Sequence, residues 1–394
     1  MKKFFIKKKI LVINHSSIFG GATQSLLIYL KENLNYFDFI CLTPKGSSSR
    51  IFKENNIKTK TVFGFSQFNN NNFGFYQGWR WFVLLREFIF FIYNFFYILK
   101  HRFVESKPDL ILLNDLTLLP SAILFSLFYK CRIITYVRSK QNLKNLFRIK
   151  IQNYLIKKYI HKLIFIDEDV KKSTSYPREV KIIKLYNSFY IQKKFLKNVK
   201  NKLNIGFVGN FTNSKGVELL INSITRLRSK KDIFFYIVGP IPKKPNLSDK
   251  VLKLFRIREN YHDLFRKNEK IISKNSRFIG FRYKLDDFYK KIHLLIFPSY
   301  VSAAGRPVLE AACYGVPSLL TLFDKDNNDI IKNNFNGLYV KNNSTKDLIN
   351  KIILLKKNKN LIKKLSLNAY KNSKQKFDIK KNKNIFKKII IKSI

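Results

Sequence analysis

The chain has 394 residues, room for two domains at roughly 150 residues each, and 46% of them are hydrophobic, enough for a sizeable core. Lys and Arg number 76 against 25 Asp and Glu, a formal charge of +51 that points first to nucleic acid. The lysines, however, run the whole length among Asn, Ile, Phe and Tyr, and no nucleic-acid motif accompanies them, so no nucleic-acid partner is expected. Compositional drift accounts for such a charge, as does a positive face for an anionic membrane surface or an anionic substrate, where each basic residue near the surface adds about 1 kcal/mol.

In chain order, MKKFFIKKKILVIN is basic and then apolar. Its apolar run is short and no small-residue cleavage site follows, so it reads as a first buried strand over Lys9–Asn14 and not as a signal peptide. A Gly20-Gly21 turn leads to a helix over Ala22–Leu34. Phe39–Thr43 is strand-like, KGSSSRIFKENN is a turn and a helix, and Lys60–Phe63 is a further strand. Leu110–Asn114, Arg132–Val137 and Lys162–Ile166 add three more. Short apolar strands separated by helical runs predict a parallel sheet with helices on both faces.

Two stretches interrupt this rhythm. FSQFNNNNFGFYQG, Phe65–Gly78, is a long loop of the kind that is often functional. Trp79–Val104 is aromatic and apolar on nearly every face. Its uninterrupted apolar part is shorter than the roughly 20 residues a span needs. It is either a buried core helix or a helix lying in a membrane interface. Cys41, Cys131 and Cys313 lie far apart in apolar runs, which predicts buried free thiols with neither a disulfide framework nor a metal-type pair.

The alternation restarts at Leu203. IGFVGN is a strand ending in a turn, VELLINSITRL an amphipathic helix, FFYIVG and RFIGF strands, LDDFYKKI a helix and LLIFPS a strand. The chain divides into residues 1–190, residues 191–372 and a closing helix over 373–394.

Three turns carry candidate chemistry. GFVGNFTNSKGVELL places Gly209, Asn210 and Lys215 between a strand and a helix, where backbone amides and an ammonium bind phosphate. IFGGATQSL is a second glycine turn that opens a helix. In FPSYVSAAGRPVLEAACYGVPS the one acid is Glu310. A helix over Val308–Tyr314 puts it in the first turn, where the macrodipole favours an anion and where a carboxylate at the edge of a parallel sheet can accept from ribose hydroxyls.

These pieces, in this order, resemble glycosyltransferase family 4, the retaining transferases of GT-B fold. The resemblance covers nearly the whole chain. It rests on IFGGATQSLL, KPDLILLN, KLYNSF, GFVGNFTNSKGVELLINSI, YIVGP, FIGFRYKLDDFYKKIHLLIFPS, GRPVLEAACYGVPSLLT and FNGLYV. It implies an α/β fold of two Rossmann-like domains facing a central cleft, with the C-terminal helix packing back on the first. It also implies a nucleotide-diphosphate sugar as donor, with no cofactor and no metal. By position, Lys215 would neutralise the diphosphate and Glu310 would hold the ribose. Gly20 and Gly21 would approach the phosphates from the first domain, alongside Gly209 and Asn210 from the second. Ser302, Ala303, Ala304 and Gly305 would face the sugar, and Val308 and Leu309 the distal phosphate. Lys215 and Glu310 are thus the catalytic candidates.

The chain departs from the family pattern at three places. The family's first glutamate, seven residues before the second, is Ser302 here, which cannot carry charge. Asn210 stands where an Arg often binds diphosphate, with Arg306 nearby as a substitute. The first-domain His is replaced in its region by Arg138, an acceptor-side candidate, and the chain's own histidines read as structural or solvated. The expected activity is a retaining hexosyl transfer to a cell-envelope or lipid-linked saccharide, in the cytoplasm or peripherally on the inner face of the plasma membrane. The alternative is a catalytically impaired GT-B partner or saccharide-binding subunit, motivated by Ser302.

Overall fold

The apolar runs assemble into two sheets. The computed structural model describes residues 7–71, 81–102, 107–191, 197–199, 201–241, 244–247, 262–300, 304–321 and 329–394. Two compact units separate, one of residues 1–188 with 379–394 and one of residues 189–378.

In the first unit the order is β1 (Lys8–Ile13), α1 (Gly21–Lys31), β2 (Phe37–Pro44), α2 (Ser47–Glu54), β3 (Lys58–Val62), α3 (Val83–Arg102), β4 (Leu110–Leu113), α4 (Leu119–Phe128), β5 (Arg132–Val137), α5 (Leu146–Tyr159), β6 (Lys162–Phe165), α6 (Glu168–Lys172) and β7 (Lys181–Lys184). The seven strands pair in parallel in the order β3-β2-β1-β4-β5-β6-β7. The two-residue period of a strand sorts its side chains to opposite faces. Ile10 and Val12 join one core with Leu110, Leu112 and Tyr136, while Leu11 and Ile13 join the other with Ile111, Leu113 and Ile133. A sheet covered on both faces needs continuous apolar strands, and this is why ILVI and LILL read so clearly.

In the second unit the order is β8 (Leu203–Val208), α7 (Val217–Arg226), β9 (Ile233–Val238), α8 (His262–Ile272), β10 (Ser276–Gly280), α9 (Asp286–Lys291), β11 (Leu294–Phe297), α10 (Arg306–Cys313), β12 (Ser318–Thr321), β13 (Gly337–Val340), α11 (Thr345–Lys357) and α12 (Lys359–Lys376). The sheet runs β10-β9-β8-β11-β12-β13, again parallel. Strand order reverses between β8 and β11, as it does between β1 and β4 in the first unit. In open α/β sheets ligands bind beyond the strand ends at such a reversal.

The final helix, α13 (Ile379–Ile391), belongs to the first unit. Phe386 is fully buried and stacks on Tyr29 at 5.1 Å between ring centroids. Asn382 donates to the Ser188 hydroxyl at 2.7 Å, and that hydroxyl also bonds the Tyr29 hydroxyl at 2.7 Å. Phe386→Ala is expected to destabilise the first unit by about 3 kcal/mol, the usual cost of emptying a buried aromatic site. Denaturant unfolding of the full chain checks this, and a change under about 1 kcal/mol would mean the helix is dispensable.

Two expectations need correction. Cys41 and Cys313 are buried, but Cys131 is only half-buried, because it sits in the turn entering β5. The Trp79–Val104 stretch is not a buried core helix: along α3, Leu85 is 64% exposed, Phe88 61% and Phe96 62%. Residues 79, 80, 103 and 104 of that stretch, and residues 72–78 of the preceding loop, lie outside the described residues.

Candidate active site

At the strand reversal of the second unit, the turns after β8 and β11 meet. β8 ends at Val208, and Gly209 donates to the Val238 carbonyl at 3.0 Å. The chain passes exposed Asn210 and enters a short 3-10 turn over Asn213–Lys215. Gly216 follows at φ +69, a left-handed conformation that suits glycine, and starts α7. Its α-carbon lies against the Pro298 carbonyl, where a β-carbon would collide. Ser299 donates its hydroxyl to the Ser214 carbonyl at 2.6 Å, tying the two turns together.

Phe297, the last residue of β11, joins the candidate residues. The Lys215 ammonium sits 5.2 Å from its ring centroid. A β-carbon on Gly305 would lie 2.5 Å from the tip of the same ring. Burial holds the Lys215 ammonium below the ordinary lysine range, and Lys215 forms no ion pair among the described residues. A part-buried cation without a carboxylate is costly unless an anion arrives. The structure therefore brings Lys215 and Gly305 together around Phe297, and a β-carbon on Gly209 would lie 3.6 Å from the Lys215 stem.

Glu310 is placed differently from the expectation. Helix α10 starts at Arg306, not Val308, because Gly305 is an extended N-cap and Pro307 suits the first helical turn. Glu310 is thus the fifth helical residue, beyond the first turn, and the helix N-terminus does not hold its charge. Its carboxylate instead accepts from Arg306 Nε at 2.9 Å and from the Tyr289 hydroxyl at 3.0 Å. The Arg306 guanidinium also lies 4.5 Å from the Phe189 ring centroid. Arg306 is therefore engaged with Glu310 and Phe189 rather than standing as a phosphate charge in place of the missing arginine at Asn210. Val308 and Leu309 are buried, and the Val308 N–H donates to the Gly305 carbonyl at 2.9 Å. Ala304 is half-buried just before the helix. Ser302 and Ala303 lie outside the described residues.

The first unit holds the remaining candidates. Gly20 is the extended N-cap of α1 and Gly21 its first residue. A methyl on Gly20 would meet nothing nearer than the Ile18 carbonyl oxygen at 4.0 Å, so the amide end of α1 is bare on that side. Arg138, after β5, donates from Nε to the Asn114 carbonyl at 2.8 Å and side chain at 2.9 Å, and from a terminal nitrogen to Asn187 at 3.1 Å. Its guanidinium stacks on Tyr136 at 4.1 Å. Asn114 in turn donates to Asn14 at 2.9 Å, so this network bridges the ends of β1, β4 and β5. His15, next to Asn14, is pushed below the ordinary histidine range by burial, which keeps the imidazole neutral at pH 7. His293 is structural: its Nδ1 accepts from the Asn204 amide at 3.0 Å, and burial lowers it to about 4.

Sequence reasoning missed Phe297 and Tyr289. The position of Phe297 as the last apolar residue before Pro298 was a usable signal. The buried Tyr289, inside the charged run DDFYKK, offered none.

Residues 189–372, nearly all of the second unit, match the family model described as Glycosyl transferases group 1. A curated protein of Methanocaldococcus jannaschii, named an uncharacterized glycosyltransferase, is 27% identical over 222 residues, 54% of this chain and 55% of its own length. The chain thus matches about half the length of that relative. Among solved structures, HepE of Anabaena in complex with UDP aligns at TM-score 0.74 and 15% identity, over 98% of this chain and 100% of that one. Sucrose-phosphate synthase of Thermosynechococcus elongatus aligns at TM-score 0.69 and 13% identity, over 98% and 99%. The fold is therefore GT-B, with two Rossmann-like α/β units, and the second unit is the part that matches the glycosyl transferases group 1 model.

Proposed function

We propose that this chain is a retaining glycosyltransferase of the family 4 kind. It moves a hexosyl group from a nucleotide-diphosphate sugar to a cell-envelope or lipid-linked saccharide, peripherally at the inner face of the plasma membrane. The observation that carries the reading is Lys215, a part-buried ammonium with no ion pair among the described residues, at the strand reversal of the unit that matches the glycosyl transferases group 1 model. As the bond from sugar to diphosphate breaks, negative charge grows on the leaving group. Lys215 and the amides of the turns around Phe297 would stabilise it, and preorganised positive groups aimed at developing charge are the strongest aid to such a step. This needs no metal. HepE, solved with UDP and with UDP-glucose, supports a nucleotide-sugar donor. Retention and the saccharide acceptor rest on the sequence resemblance.

In this reading Glu310 accepts from the ribose hydroxyls while Arg306 and Tyr289 fix its carboxylate. Ser302 would hold the sugar by a hydrogen bond in place of a charge. Calorimetric titration with a panel of nucleoside diphosphates and nucleotide sugars tests both points. One nucleoside diphosphate is expected to bind, and Glu310→Ala to weaken it roughly tenfold, about 1.4 kcal/mol. The 2′,3′-dideoxy nucleotide should bind the variant and the native chain alike. Absence of binding by every nucleotide would sink the reading and favour a non-catalytic GT-B partner.

A further inference from the structure

Helix α3 is apolar on both sides: Ile98 is buried in the core of its own unit with Phe91, Tyr93 and Tyr97 packed there, while a second apolar stripe faces outward. The side turned to its own unit carries Glu87 and Asn94, 5% and 2% exposed. Glu87 accepts from the Gln67 amide at 2.6 Å and pairs with Arg86. Asn94 donates to the Gly64 carbonyl at 2.7 Å and accepts from the Ser66 amide at 3.3 Å. The polar residues therefore serve the backbone of the Gly64–Gln67 segment. On the outer side, Phe82, Leu85, Ile89, Ile92 and Phe96 follow one another at steps of three and four residues and are 42–69% exposed. Such spacing lines up one stripe on a helix, and contiguous apolar surface of this kind marks a partner or a membrane.

The surroundings select between those two. Arg148 of α5 stacks over Trp81 at 5.2 Å, which joins the start of α5 to the head of the stripe, and Leu146 and Phe147 there are 72% and 73% exposed. From Leu116 to Ile166 the sequence holds ten Lys and Arg and no Asp or Glu. Lys144, Lys150, Lys157 and Lys158 among them are exposed, while the one acid of α3, Glu87, is buried. A second copy of this chain would bring like charges together. An anionic bilayer accepts both the stripe and its basic rim. No helix among the described residues is long and apolar enough to cross a membrane, and α3, 20 residues and about 30 Å long, suits a helix lying in the interface plane.

We propose that the outer face of α3, with the start of α5, docks the protein on an anionic phospholipid bilayer, the apolar side chains entering the acyl boundary and the lysines meeting the headgroups. The inference deepens the proposed membrane-linked acceptor and rests on that reading for its purpose. Vesicle binding needs no turnover, so the two fail separately.

The test uses the full chain with vesicles of phosphatidylcholine containing phosphatidylglycerol, or of phosphatidylcholine alone, and reads sedimentation and tryptophan emission. The chain has two tryptophans, and one of them, Trp81, stands at the head of the helix. The native chain is expected to prefer the anionic vesicles by at least about tenfold, with emission quenched by brominated acyl chains. The triple variant Phe88→Ser, Ile92→Ser, Phe96→Ser should partition at least about tenfold less, with unchanged melting and nucleotide titration. If it fails to fold, Phe96→Ser alone is expected to lower partitioning about threefold. Failure of the native chain to bind overturns the proposal, as does binding without quenching, which would be adsorption by lysines only. A dimer in solution that the variant dissolves, without vesicle binding, overturns it in favour of an interface between copies of this chain.

Discussion

Gly216→Ala is expected to lower the stability of the second unit by about 4 kcal/mol, a loss reserved for a few named mechanisms, two of which coincide here. The residue sits at φ +69, which costs a residue with a β-carbon roughly 1 kcal/mol. The added carbon would also lie well under 3.0 Å from the Pro298 carbonyl oxygen, a backbone atom. Neither side can retreat cheaply. Pro298 follows the end of β11, where Phe297 pairs with Leu320 of β12, and the Ser299 hydroxyl ties that turn to Ser214, two residues before the glycine. For a unit of 190 residues, the span from 189 to 378, this corresponds to a fall of about 10 °C in its unfolding midpoint. Calorimetry of the full chain measures it, and a midpoint within about 2 °C of the native value would show that the two turns are not held together as described.

Lys215→Met is expected to act in the opposite way. Nucleoside diphosphate affinity should fall about 100-fold, about 3 kcal/mol, as for removal of one partner of a part-buried charge pair. Stability should stay level or rise, because the variant removes a charge that burial disfavours and that no carboxylate among the described residues balances. The sign with pH follows. The folded lysine titrates below its ordinary 10.5, so the unliganded fold carries its penalty fully at pH values below the folded pKa. The penalty fades as pH rises from that value toward 10.5. Binding of an anion requires the charged form, so affinity should decline on the alkaline side earlier than for an ordinary lysine. The Met variant should lack that decline. Titration calorimetry across the pH range, paired with melting curves, separates this from Gly216→Ala, which loses binding only together with its fold. A Met variant that binds as tightly as the native chain would remove Lys215 from the donor site.

The strand runs were legible in the sequence for one reason. A parallel strand covered on both faces must be apolar throughout, so ILVI, LILL and LLIF stand out even in a lysine-rich chain. The edge strand β7, KIIK, did not stand out, since only two apolar residues stand between its lysines and three of its four residues are exposed. Helices α11 and α12 were hidden similarly, their apolar stripes diluted by Lys and Asn. Glu310 was legible as the one acid in its run of small and apolar residues. Its place in the helix was misjudged by two residues, because Pro307 was read as part of a turn when it is compatible with the first turn of α10.

The sequence by itself determined the two α/β halves, the glycine turns at their strand reversals and the identity of the charged residues beside them. These depend on period, on apolar continuity and on glycine's access to left-handed backbone, all local properties. The tertiary structure decided three things that are not local. It showed that Lys215 lies over Phe297 with no ion pair among the described residues. It gave Glu310 Arg306 and Tyr289 as partners. It also turned the Glu87 and Asn94 side of α3 inward. In a helix apolar on nearly every face, hydrophobicity cannot choose the buried side. The choice lay with long-range contacts: Ile98, Phe91, Tyr93 and Tyr97 pack on the core, and Glu87 and Asn94 bond a segment some 20 to 30 residues away in sequence.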